Sequence, residues 1–181
     1  MKMNNLKSFD IKFSGLKNGK HQYQFHLDNQ FFNFFDFKEF KNSDLDILIH
    51  LNKSDSLLEF NIQSKGTVNI PCDICGEDYD QKIDGKLNFL VKFGEDFNDD
   101  RDDLIIIPYN SYYYNIAQQI YESVILNIPA KRIHPDILSG EKKVENAQYI
   151  INYQDEDQKQ KNDEIDPRWA ELKKILTDKK Q

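Results

Sequence analysis

The sequence predicts an α+β fold. It reads as a mainly antiparallel, strongly bent sheet, partly closed like a barrel, with one main helix packed on it and a short C-terminal helix. Three observations lead there. The runs Leu58 to Ile70 and Tyr79 to Phe93 alternate apolar and polar residues, the period of half-buried strands. They flank Pro71 and a turn holding the only two cysteines, Cys72 and Cys75, so they read as the arms of one long hairpin. Downstream, Ile116, Ile120, Val124 and Ile128 recur every four residues, as on the apolar face of a helix.

Taken in order, Phe9 to Phe13 alternates as a strand, and Asn18-Gly19 forms a turn of the kind that commonly joins hairpin strands. Tyr23, Phe25 and Leu27 alternate with Gln22, Gln24 and His26 in a second strand. His21, His26 and His50 read as polar-face strand residues. Asp28 or Asn29 caps a short helix that sets Phe31, Phe34 and Phe35 on one face, an aromatic plug on the sheet rather than a base-stacking platform. Leu45 to Lys53 is a strand, Asp55-Ser56 a turn, and Gly66 marks a bulge or bend inside the next, long strand.

Glu95 to Asp103 carries six acids and reads as a solvated loop. Leu104 to Pro108 is continuously apolar, the pattern of a strand buried on both faces. Tyr112-Tyr113-Tyr114 reads as packing at a strand edge. The main helix spans 115–128, capped by Asn115 and stopped by Pro129. The β-rich domain then covers 1–136. Residues 137–165 form an acidic, polar linker, and 166–178 a short amphipathic helix with Asp166 as cap and Pro167 at its first turn.

Composition narrows the function. Lysine and arginine number 24 against 31 acids, a formal charge of −7, so the overall field does not steer the chain to nucleic acid. Apolar residues make up 39%, less than the ~45–50% usual in globular domains, which places part of the chain outside the core. No run reaches the ~18 apolar residues of a membrane span, and two cysteines are too few for a secreted disulfide scaffold. We therefore expect a cytoplasmic monomer with no membrane contact.

The chain carries no phosphate-binding glycine loop, no dinucleotide fingerprint and no nucleophile elbow, so we expect no enzyme. Thioredoxin-type chemistry sets its C-x-x-C where a strand meets a helix, whereas strands flank Cys72-Asp73-Ile74-Cys75 here. A strand–knuckle–strand suits zinc better, but zinc takes four ligands. Cys72, Cys75 and a distant His134 are the candidates, with Asp136 or a water as fourth. The plainer alternative is a pair of reduced thiols in a tight turn and no cofactor. Lys131, Arg132 and His134 form the one compact basic spot, a candidate RNA or partner contact. On the last helix, Arg168, Trp169, Leu172 and Ile175 make a candidate docking surface.

These stretches together resemble the YceD family, a bacterial and plastid group. The resemblance runs through Ile11 to Lys20, through Gly66-Thr67-Val68-Asn69-Ile70-Pro71-Cys72-Asp73-Ile74-Cys75, and through Leu90 to Gly94. It continues in Ile128-Pro129-Ala130-Lys131-Arg132-Ile133-His134-Pro135-Asp136 and closes in Asp166 to Leu176. It is nearest to the Bacteroidetes-like branch. The resemblance implies a role in accumulation of the large-subunit ribosomal RNA, with direct RNA binding suggested for plastid relatives and metal binding inferred from the cysteines. Many members carry a further cysteine just after the His-Pro-Asp segment; Asp136 to Glu141 holds none. The expectation is thus a non-enzymatic factor in large ribosomal subunit assembly that binds large-subunit ribosomal RNA or a ribosomal protein. The alternatives are an acidic protein-binding adaptor unrelated to RNA, or a small structural zinc-binding domain.

Overall fold

The structure, a computed structural model, describes residues 3–101 and 103–142. Alternation builds its main sheet. In β4 (Leu57–Pro71) the side chains of Leu58, Phe60, Ile62, Ser64, Val68 and Ile70 are buried, while the residues between them are exposed or half-buried. β5 (Asp78–Gly94) pairs antiparallel with the whole of β4 through Asp78 to Lys92 and buries Tyr79, Ile83, Phe89 and Val91 on the same face. β3 (Asn42–Lys53) adds Leu45, Ile47, Ile49 and Leu51, all essentially inaccessible to solvent. Each such side chain contributes about 1.5–3 kcal/mol by leaving water. β2 (Gly19–Leu27) pairs antiparallel with β3 and forms one edge.

Beyond β5 the sheet changes direction. β7 (Leu104–Pro108) runs parallel to β5, and β6 (Asn98–Arg101) returns antiparallel to β7 as the other edge. The order is β2-β3-β4-β5-β7-β6. The fold is α+β with a mainly antiparallel sheet, as expected. The sheet is open, because its terminal strands β2 and β6 do not pair, so the partly closed barrel is corrected. The apolar face is covered by other elements instead of rolling onto itself.

Those covers come from both ends of the first unit. A 3-10 stretch (Met3–Phe9) leads into β1 (Asp10–Ile11), which pairs with β8 (Tyr114–Asn115) in a small second sheet. The Asn18-Gly19 turn therefore does not close a hairpin. Asn115 ties this corner together: its amide donates to the Leu6 carbonyl at 2.8 Å and to Asp10 Oδ1 at 2.6 Å, and its Oδ1 accepts from Ala117 N–H at 3.1 Å. That last bond reaches the first N–H of α2 (Ala117–Ile125), but the cap residue is Ile116, with no side-chain cap bond, rather than the expected Asn115. The helix is shorter at both ends than the expected 115–128.

α1 (Asn29–Asn33) is capped by Asp28, whose carboxylate accepts from Gln30 N–H at 2.9 Å. Its deep rings are Phe31 and Phe32 rather than Phe34. Phe31 meets Phe9 at 5.0 Å and Phe32 meets Phe40 at 4.7 Å, centroid to centroid, so the aromatics plug the core. The acidic segment is partly a strand, since Asn98–Arg101 is β6, exposed throughout. In β7 only Ile105 and Ile107 are buried, because the sheet covers one face there. His26 and His50 are exposed on the open face; His21 is half-buried on the opposite side, with Nε2 2.8 Å from the Lys17 carbonyl.

The tightest packing lies at the sheet centre. Ser64 pairs with Gly85 across β4 and β5, and Ser123 of α2 sits directly on them. Ser123 Oγ donates to the Ile120 carbonyl at 2.7 Å, which leaves the Ser64 hydroxyl to donate to Ser123 Oγ at 2.6 Å. A Cβ on Gly85 would lie 2.5 Å from the Ser123 carbonyl oxygen. Gly66 is a close approach rather than a bulge, since the ladder runs through it without a shift. Its φ is +146°, and a Cβ there would fall 2.0 Å from the Asp44 carbonyl oxygen.

The chain divides after Arg132. Of the second unit, Ile133–Lys142 is described and holds α3 (Pro135–Leu138), a single turn across the point where the linker was expected to begin. Linker residues 143–165 and the expected helix 166–178, with Arg168, Trp169, Leu172 and Ile175, lie outside the described residues.

The close approach of helix and sheet can be measured. Gly85→Ala should cost about 1–3 kcal/mol through overpacking, seen as a lower urea midpoint. Gly66→Ala should cost more, because the clash is with backbone and φ is positive. An unchanged midpoint for Gly85→Ala would mean that the helix does not sit this close.

Candidate functional site

The C-x-x-C turn closes the β4–β5 hairpin. Pro71 and Asp78 form the last ladder pair, and Cys72 to Glu77 makes the loop. Cys72 N–H donates to the Glu77 carbonyl at 2.8 Å, and Gly76 N–H returns to the Cys72 carbonyl at 3.0 Å. Gly76 turns the chain with φ +72°. Ile74 N–H points at Cys72 Sγ, 3.4 Å away. Cys72 is buried and Cys75 half-buried, and no disulfide joins them.

The tip is fastened from outside the hairpin. Asp73, inside the C-x-x-C, donates its N–H to the Arg132 carbonyl at 2.8 Å. Asp73 Oδ2 accepts from Arg132 N–H at 2.8 Å, and Asp73 Oδ1 accepts from Arg132 Nε at 3.1 Å. Arg132 Nη1 donates on to Glu39 Oε2 at 3.0 Å. The guanidinium thus bridges two carboxylates from different parts of the chain, with its side chain 29% exposed. Its planar fork suits this arrangement better than an ammonium would. Lys41 and Asp78 form a second ion pair at the base of the tip. Tyr79 lies against the same cluster. Burial pushes its hydroxyl pKa up first, Cys72 and Asp73 push it further, and Arg132 opposes them. The hydroxyl donates to Gln81 Oε1 at 3.0 Å.

The expected basic spot is therefore divided. Arg132 is held inward by Asp73 and Glu39, whereas Lys131 beside it is exposed. His134 belongs to the second unit, where its Nδ1 accepts from Asp136 N–H at 3.2 Å as the cap of α3 and lies 3.6 Å from Asp136 Oδ2. Among the described residues, no group of three or more His, Cys, Asp or Glu side chains is arranged to hold a metal ion. Cys72 and Cys75 are thus not joined, among the described residues, by the further ligands that a four-ligand zinc centre needs. Glu39 and Asp73 were missed as members of the site. Asp73 carried a weak signal, being a carboxylate inside the tip, whereas Glu39 lies 93 residues from Arg132 and carried none.

The fastening predicts a specific loss. Arg132→Ala should remove the side-chain bonds to Asp73 and Glu39 and leave the backbone exchange with Asp73 in place. The partly exposed pair is screened by solvent, so a fall of about 1 kcal/mol is expected. Faster amide hydrogen exchange at Asp73 and Gly76, with that at Ile49 unchanged, would report loosening confined to the tip. Unchanged exchange at the tip would exclude Arg132 as its fastening.

A comparison with protein families finds one match. The model described as "Large ribosomal RNA subunit accumulation protein YceD" fits residues 60–176, which include most of β4, all of β5, the C-x-x-C tip and Arg132. No curated protein and no solved structure matches the chain. A match over well more than half of the sequence, centred on the fastened hairpin, places this chain in the YceD family of large ribosomal RNA subunit accumulation proteins.

Proposed function

We propose that this chain is a non-enzymatic factor in large ribosomal subunit assembly, acting by binding large-subunit ribosomal RNA or a ribosomal protein. The family match carries the reading, since the family is described by large-subunit ribosomal RNA accumulation. The matched region includes the fastened tip, with the exposed Lys131 next to Arg132, which pairs with Asp73 and Glu39. With a formal charge of −7, affinity rests on local contacts at such a spot rather than on the field of the whole protein. Arg168, Trp169, Leu172 and Ile175 are proposed as a second docking element toward the same partner.

The exposed acidic strand β6 favours a second reading, binding to a basic protein with no RNA contact. Retention with and without nuclease separates the two. Loss of retention after nuclease, or nuclease-resistant capture of a large-subunit ribosomal protein, supports the first reading. Nuclease-resistant capture of one basic protein that is not ribosomal supports the second.

The basic spot is tested by Lys131→Glu alone, because a change at Arg132 would also unfasten the tip. Lys131→Glu should reduce co-sedimentation with large-subunit particles and lower the salt dependence of RNA binding by about one phosphate contact. Unchanged co-sedimentation would remove Lys131 from the interface. Deleting residues 166–181 should leave the urea midpoint unchanged and weaken partner retention; full retention would exclude the terminal element.

A further inference from the structure

Away from the hairpin tip, a groove runs between the β6–β7 edge of the sheet and α2. Its wall carries Phe97 and Tyr112, 59% and 60% exposed, with Tyr113 packed edge-on against Tyr112 at 5.0 Å. Large aromatic rings on a surface otherwise rich in charge are unusual, and here they converge on one place. Asp99 lines it, and Asp99, Gln118 and Gln119 also line an adjoining hollow that holds Glu122 and Arg101, where Glu122 Oε1 accepts from Gln118 Nε2 at 2.8 Å. Glu95, Asp96, Asp100 and Asp103 stand exposed along the same edge, so the neighbourhood is strongly negative. Gln119, only 9% exposed, lies at the floor. Its Oε1 has no hydrogen-bond partner among the described residues. A buried, unsatisfied acceptor is costly, and a donor brought into the groove would relieve it.

We infer that this groove is a docking site for an arginine-bearing extended segment of a protein partner. Each feature calls for the same chemistry. Ring faces attract a weakly hydrated planar cation, and guanidinium stacks on them better than ammonium. Asp99 and Glu122, with Glu95, Asp96 and Asp100 along the edge, outnumber Arg101, the one nearby cation among the described residues, and supply the countercharge. The orphan Gln119 Oε1 accepts one of the five guanidinium N–H donors, once the side chains above it part. Nucleic acid is disfavoured, because its phosphates would lie among the acids of β6 and its flanks. Strand addition is disfavoured as well. The edge is irregular between Asn98 and Arg101, and Asp100 N–H already bonds to Asn98 Oδ1 at 3.2 Å. Recognition is therefore by side chains. The inference rests on the basic-protein reading of the β6 edge and names its groove and ligand chemistry. The site is separate from the hairpin tip, so its test needs no ribosome and its failure is distinguishable from failure of the ribosomal reading.

The test titrates the full chain with an acetylated, amidated peptide of alternating arginine and glycine at low salt, following fluorescence anisotropy of the labelled peptide. Tyr112→Ala with Tyr113→Ala leaves the net charge unchanged and should weaken binding about tenfold, equivalent to about 1.4 kcal/mol. Asp99→Asn with Glu122→Gln should weaken it at least as much. Gln119→Leu should weaken binding while leaving the urea midpoint equal or higher, since it removes an unsatisfied buried acceptor; a merely structural Gln119 would leave binding unmoved. Asp80→Asn with Asp84→Asn, on the open sheet face, should have little effect. The proposal is overturned if the tyrosine pair binds like the parent. It is overturned equally if the open-face pair weakens binding as much as the groove pair, or if single-stranded RNA binds in a Tyr112-dependent manner.

Discussion

The structure depends on how closely α2 can approach the sheet. Ser64, Gly85 and Ser123 are small, and together they bring helix backbone and strand backbone nearly into contact. A larger residue at any of the three would lift the helix and carry the chain between it and Arg132 away from the sheet as well. Three contacts mark the path of the chain over the hairpin. Tyr114 lies against Phe60 and Phe89, Ser123 lies on Gly85, and Arg132 reaches Asp73 at the tip. The helix therefore runs along β5 from its C-terminal half toward its start. The two serine hydroxyls satisfy one another and the Ile120 carbonyl, so a polar pair is buried without an orphaned group.

The tip is fastened through that placement. A six-residue loop with a left-handed glycine has few contacts of its own, and the ion cluster of Arg132, Asp73 and Glu39 supplies them. The effect on function is a reassignment of charge. Two adjacent basic residues have opposite situations, one neutralised by carboxylates and one open to solvent. In an acidic protein this separates a basic residue that holds the surface in shape from one that stands in solvent.

The long strands were legible because a period of two writes itself directly into the sequence, and the buried set in β4 is the apolar set read from it, with Ser64 added. α2 was legible from its period of four, and the Asp28 cap from its residue type, whereas the cap of α2 falls on Ile116 rather than on Asn115. The failures were non-local. Whether a sheet closes depends on its edges meeting, and alternation within a strand carries no information on that. β1 finds its partner at Asn115 rather than across the Asn18-Gly19 turn, for the same reason. The parallel β5–β7 pairing was hidden by a short return strand that is acidic throughout its flanks. At the site, Cys72, Cys75 and the basic residues were visible as types, but the partner that fixes Arg132 is set by tertiary structure.

The fastening of the tip also orders events during folding. Arg132 and Asp73 are 59 residues apart, and they meet only after α2 has settled on the sheet. The hairpin arms can zip from the local Asp55-Ser56 and β4–β5 turns, whereas the ion cluster must wait for closure of a long loop. The C-x-x-C loop is thus among the last parts of the first unit to become rigid. On that loop-closure argument, a chain whose helix has not docked is expected to lack the Arg132 fastening. Any partner that recognises the rigid tip would in effect distinguish finished molecules from unfinished ones.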